Sequence, residues 1–178
     1  MIFFLQAGGS SHKARKPAAA YWEKAMAQKQ THHAALGLGH VVLKMRDLEK
    51  AKEFYRDILG LKITEEREDF GVFFCFQDYH HDIAVFKVAD DAAPPEQNQV
   101  GLSHLALVAD SLETVKAMYR RLKEHDVPIV RTVDHGVTKS VYFKDPEGNE
   151  LEIYCDVPEK PWQEVDTMIK AEHIDLDT

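Results

Sequence analysis

Gly39-His-Val-Val-Leu-Lys-Met-Arg-Asp-Leu-Glu-Lys-Ala-Lys-Glu-Phe-Tyr-Arg56 returns 64 residues later as Ser103-His-Leu-Ala-Leu-Val-Ala-Asp-Ser-Leu-Glu-Thr-Val-Lys-Ala-Met-Tyr-Arg120. His40/His104, Leu43/Leu107, Leu48/Leu112, Glu49/Glu113, Tyr55/Tyr119 and Arg56/Arg120 coincide, so the chain holds an internal repeat. Each copy opens on an aliphatic run and passes an N-cap candidate, Asp47 in the first and Asp110 or Ser111 in the second. Apolar residues at helical spacing follow: Leu48, Ala51, Phe54, Tyr55 and Ile58, then Leu112, Val115, Met118, Tyr119 and Leu122. Further strands are predicted at 62–66, 72–77 and 83–88, and again at 129–133, 140–144 and 150–155. The turns between them include Asp78-Tyr-His-His-Asp82 and Asp145-Pro-Glu-Gly-Asn149. Each copy therefore reads strand–helix–strand–strand–strand, and neither can close a core alone. The expected fold is α+β: two paired βαβββ modules, about 37–90 and 100–157, in one curved, partly open mixed sheet with helices outside.

The flanks have a different character. Residues 1–36 carry Lys13, Arg15, Lys16, Lys24 and Lys29 against Glu23 alone, with a linker-like Gly-Gly-Ser-Ser at 8–11. Pro17 could start a short helix there, so this stretch reads as an arm, flexible or docked. Residues 158–178 read as an acidic tail, ending in Asp175-Leu-Asp177. At 178 residues and 44% hydrophobic, the chain can bury one ordinary core. A net charge of −8 leaves no basic surplus for phosphates, so no nucleic-acid partner is expected. Met1-Ile-Phe-Phe-Leu5 is too short for a signal segment or a membrane span, and no membrane partner is expected. Cys75 and Cys155 lie in apolar strand runs, which suggests buried thiols in a reduced, cytoplasmic protein.

Ten histidines are many for this length. His40 and His104 occupy the same place in the two copies, at the first strand of each. A strand histidine ordinarily packs or faces solvent. Two at equivalent positions, with Glu152 mid-strand in Glu150-Leu-Glu-Ile-Tyr154, look instead like metal ligands. Two imidazoles and one carboxylate leave coordination positions open, which suits non-haem Fe(II) and oxygen chemistry. Mn(II) or Zn(II) could fill the same set.

These residues resemble the vicinal oxygen chelate superfamily and, within it, the single-domain type I extradiol (catechol-cleaving) dioxygenases. The resemblance covers about residues 37–157. It is carried by Gly39-His40-Val-Val-Leu43, by Leu102-Ser-His104-Leu-Ala-Leu107, and by Phe143-Lys-Asp145-Pro-Glu-Gly148-Asn-Glu-Leu-Glu152-Ile-Tyr154. It implies that His40, His104 and Glu152 hold iron. It further implies that His81, in His81-Asp82-Ile-Ala84, is an acid/base and that Tyr142 hydrogen-bonds the substrate oxygen. His135, in His135-Gly136-Val137, would border the ring-binding site. Phe73 and Phe143, with Phe74 and Phe76, are candidates for the ring pocket.

A small aromatic substrate, dioxygen and a homodimer or higher homo-oligomer are implied as partners. The contrasting branch of the superfamily, glyoxalase-like lyases and isomerases, usually takes a further ligand or acid from the last strand of the first copy. Here that position is Ala84 or Val85, neither able to coordinate. A metal-dependent lyase or isomerase, and a binding protein like those that sequester bleomycin-type drugs, are the alternative readings.

Overall fold

The computed structural model describes residues 35, 37–96, 98–157 and 171–177. The chain falls into two compact units, Met1–Gly39 and His40–Thr178, and the fold below is that of the second. The expected arm and its helix lie outside the described residues, as does 158–170 of the expected tail.

The repeat builds two sheets of the same plan. In the first module β1 (Val41–Met45) is followed by α1, which runs α-helical over Leu48–Lys52 and widens to a π-helix over Glu53–Ile58. Then come β2 (Lys62–Arg67), β3 (Gly71–Cys75) and β4 (Ile83–Lys87), in the order β1-β4-β3-β2. The second module has β5 (Leu105–Val108), α2 (Leu112–Glu124), β6 (Ile129–Asp134), β7 (Thr138–Lys144) and β8 (Glu150–Asp156). Its sheet runs β5-β8-β7-β6-β9, where β9 is Glu172–His173. In each module the first and last repeat strands pair in parallel and the others antiparallel, giving mixed sheets.

Local chemistry sets the helix starts. The Asp47 carboxylate accepts from the Glu49 and Lys50 amides at 2.9 and 3.2 Å, and the Ser111 hydroxyl accepts from Thr114 N at 3.2 Å. Of the two N-cap candidates in the second copy, Ser111 holds the position. α1 stops at Gly60, whose φ of 82° is a conformation that costs glycine little and L side chains much. β3 ends at Cys75, two residues earlier than expected, because Phe76 N donates to the Asp82 carboxylate at 2.9 Å and turns the chain away.

Alternation along the strands puts Leu43, Met45, Val72, Phe74, Ile83 and Val85 in one core with Leu107, Val141, Phe143, Leu151 and Ile153. Ala51, Phe54 and Tyr55 of α1 and Val115 and Leu122 of α2 join it. Burying each large side chain is worth about 1.5–3 kcal/mol, and this shared core is what neither module could build alone. Polar ties also cross between modules. Tyr55 OH donates to Asp145 Oδ2 at 2.9 Å, and Arg46 Nε donates to Glu147 Oε2 at 2.7 Å. Asp145 also accepts from the amides of Glu147 and Asn149 at 2.9 Å each, which fixes the turn leading into β8.

The C-terminal residues are docked. β9 extends the second sheet along β6, Leu176 is buried in the core, and Lys123 Nζ meets Asp177 Oδ1 at 2.9 Å. Both cysteines are free and buried. No helix of the described residues is long and apolar enough to cross a membrane.

Candidate metal and substrate site

In an antiparallel pair, residues directly opposite share a face. Tyr142 on β7 stands opposite Glu152 on β8, and on the other side opposite Arg131 on β6. The turn between β7 and β8 keeps this register, so Tyr142 and Glu152 lie on one face. Glu152 is buried, and its Oε2 lies 3.2 Å from Nε2 of half-buried His104. The rings of His104 and Tyr142 meet edge to face at 5.4 Å, and Tyr142 OH is 3.0 Å from His135 Nε2. Burial first, and then the hydrogen bond and charge of Glu152, push the Tyr142 phenol up to about 12, with Arg131 pulling the other way. At neutral pH Tyr142 is therefore an O–H group, able to donate.

The first module gathers a different set. His40, exposed at the head of β1, lies with its ring centroid 4.4 Å from that of His81. Phe73 meets the edge of the His81 ring at 5.2 Å, and the Nδ1 atoms of His80 and His81 are 2.8 Å apart. Burial, followed by the neighbouring His40 and His80, lowers the pKa of His81 below the ordinary imidazole value. A neutral ring can accept a proton.

Whether these donors suit a metal ion can be tested on the His104–Glu152 pair. Ligands at about 2.0–2.2 Å and at right angles around one ion stand about 3 Å apart, close to the separation found here. The pair, one imidazole and one carboxylate, therefore fits two neighbouring ligand positions. His40 stands apart from it: among the described residues no three His, Cys, Asp or Glu side chains form one metal-holding group.

Phe143, expected at the ring pocket, is instead a core residue. It alternates with Tyr142, is fully buried, and packs on Phe54 at 6.2 Å between ring centroids. Phe74 is likewise core, whereas Phe73 is half-buried beside His81. Register also settles the counterpart of Glu152. Val42 pairs with Ala84 as Ala106 pairs with Glu152, so Ala84 holds that place in the first module.

One residue absent from the sequence reading belongs here. The Arg131 guanidinium carbon lies 3.7 Å from the Tyr142 ring centroid, and its Nη1 is 2.8 Å from Glu150 Oε1. The register of β6 shifts between Ile129 and Arg131, and that bulge sets Arg131 opposite Tyr142. The same shift recurs between Ile63 and Glu65 on β2, so the bulge is common to both modules.

Comparison with known proteins agrees with this fold. The model of the Glyoxalase/Bleomycin resistance protein/Dioxygenase superfamily matches residues 37–153. Biphenyl-2,3-diol 1,2-dioxygenase 3 of Rhodococcus globerulus is 30% identical over 137 residues, covering 76% of this chain and 72% of that protein. Catechol-2,3-dioxygenase of Bacillus subtilis is 29% identical over 74% of this chain, which spans only 45% of that relative's length. A metallothiol transferase of Staphylococcus haemolyticus is 28% identical over 66% of this chain and 82% of its own. Among solved structures, a glyoxalase/dioxygenase from Nostoc punctiforme has the same fold, with a TM-score of 0.59 at 24% identity, covering 68% of this chain and 91% of that one. The chain belongs to the glyoxalase/bleomycin resistance protein/dioxygenase superfamily.

Proposed function

We propose that this protein is a ring-cleaving, extradiol dioxygenase that acts on a catechol-type aromatic with dioxygen. The observation that carries the reading is the His104–Glu152 pair with Tyr142 directly opposite Glu152, while the matching place in the first module is Ala84. Similarity to the biphenyl-2,3-diol and catechol dioxygenases supports the same substrate class. His40, His104 and Glu152 would hold the metal, Fe(II) in first place and Mn(II) or Zn(II) otherwise. When bound, the ion supplies acidity to the catechol hydroxyls and electrons to dioxygen.

The rest falls to the chain's own groups. His81, with its lowered pKa, accepts a hydroxyl proton and returns it later. Tyr142 donates its O–H to a substrate oxygen, and His135 Nε2, 3.0 Å away, orients that phenol. Phe73 flanks the ring. Anaerobic loading with Fe(II), followed by catechols and then oxygen, should give a yellow ring-cleavage product. Absence of product from every catechol at full iron occupancy rejects the reading. In that case the likeness to the metallothiol transferase supports a second one, metal-dependent transfer or lyase chemistry on the same ligands, assayed with thiol substrates.

The protein is further proposed to act as a homo-oligomer. His40 is exposed and stands apart from His104 and Glu152, β1 and β5 are edge strands among the described residues, and Val42 and Val108 on them are exposed. These features support a site completed between two copies. His40→Ala and His104→Ala proteins, each defective in iron binding, should then recover binding when refolded together. No recovery places the whole site within one chain.

A further inference from the structure

We propose that Arg131 selects aromatic substrates that carry a carboxylate, a specificity that rests on the ring-substrate reading above. The cross-strand register puts Arg131 on the face that holds Tyr142, Glu152 and His104. The guanidinium carbon lies 3.7 Å from the Tyr142 ring centroid, so a substrate reaching the Tyr142 hydroxyl comes within a side-chain length of a fixed cation. Glu150 occupies Nη1 at 2.8 Å and steadies the guanidinium without neutralising all its donors. The side chain is 45% exposed, so its remaining N–H groups can be reached from solvent. A guanidinium offers five N–H donors in a planar fork that matches a carboxylate, and Arg131 has donors to spare.

The repeat supplies an internal control. The residue at the same bulge of the first module, opposite Phe73 rather than Tyr142, is Glu65, which is paired with Arg67 at 2.7 Å. At this position the first module has an anion and the second a cation. The cation therefore stands on the side that carries the Glu152 carboxylate and the Tyr142 hydroxyl.

Two measurements test this on the full-length protein. The first is binding of 3,4-dihydroxybenzoate and of unsubstituted catechol to metal-free wild type and Arg131→Gln, by calorimetry. Wild type should bind the carboxylated ring more tightly, and Arg131→Gln should lose at least about ten-fold more affinity for it than for catechol. The second is kcat/KM of the Fe(II)-loaded proteins for the same pair, with the same inequality expected. Equal losses for both rings in the binding experiment overturn the proposal and leave Arg131 as a support for Tyr142. A wild type with no preference for the carboxylate also overturns it. Selective binding without any ring cleavage upholds Arg131 as the carboxylate selector and rejects the dioxygenase reading instead.

Discussion

The two modules share a plan of strands, a helix and a bulge, yet their matching faces differ at nearly every position that bears on chemistry. His40 matches His104, Glu65 matches Arg131, Phe73 matches Tyr142, and Ala84 matches Glu152. Only the histidine is the same in both. The second module has kept or gained a carboxylate, a phenol and a cation. The first has Ala84, Phe73 and Glu65 in the corresponding places, with His81 in contact with both His40 and Phe73. The second half carries a histidine, a carboxylate, a phenol and a cation, and the first carries a pair of histidines beside Phe73. A carboxylate at Ala84 would give the proposed metal a further ligand and leave it one fewer open position.

The largest test of this asymmetry removes the carboxylate that the first module lacks. Glu152→Ala turns the second module into the likeness of the first at that position. Losing a charged ligand should lower Fe(II) affinity by about 100-fold or more, since even partners beyond the ligands are worth 10–100-fold. Iron per chain after equilibrium dialysis measures it. Retention of wild-type affinity would show that Glu152 is no ligand.

The next exchanges the aromatics. Tyr142→Phe should keep iron and lower kcat by about 100-fold, the lower range for a positioned proton donor, with the dialysed iron content unchanged. Phe73→Tyr, which installs the phenol in the other module, should restore none of that loss. Recovery in the double variant would mean that the two halves are interchangeable. The pH profile gives an independent check. With Tyr142 ionising only at about 12, replacing it should move no limb of the activity profile between pH 6 and 9.

How much of this was open to sequence reading follows from the range of each cause. The caps at Asp47 and Ser111, the helical spacing and the alternating strands are local, and the repeat doubled their signal. The opposition of Tyr142 and Glu152 needed the turn length as well as alternation. Arg131 was hidden because a bulge adds a residue and reverses which side chains face the site. Phe143 was misplaced for a related reason: an aromatic beside Tyr142 in sequence lies on the opposite face. The π-helical widening of α1 and the docking of β9 depend on tertiary contacts that no local pattern reports. That His40 forms no three-ligand group with His104 and Glu152 among the described residues is likewise nothing a local pattern reports.

The contact between the modules is sharpened by the smallest of the expected effects. Tyr55 on α1 reaches across to Asp145, at the turn before β8, and both are buried. Tyr55→Phe keeps the ring in the core and deletes one hydrogen bond. Asp145 retains the Glu147 and Asn149 amides and the Asn149 side chain, so it is not left unsatisfied. The expected cost is about 1–2 kcal/mol in urea unfolding at pH 7, read as a shift in midpoint. The dependence on pH gives the sign. Burial, then the charge of Asp145 and the hydrogen bond to it, hold the Tyr55 phenol well above its usual value near 10. In the unfolded chain that phenol ionises near pH 10, whereas in the folded protein it stays protonated. Stability from this group is therefore full below about pH 10 and declines as pH rises above it towards the folded pKa. Tyr55→Phe should be less stable than wild type at pH 7 and should lose less on going from pH 9.5 to 11.5. If the two proteins instead lose stability in parallel over that interval, Tyr55 does not ionise differently in the two states, and the tie between the modules is packing alone.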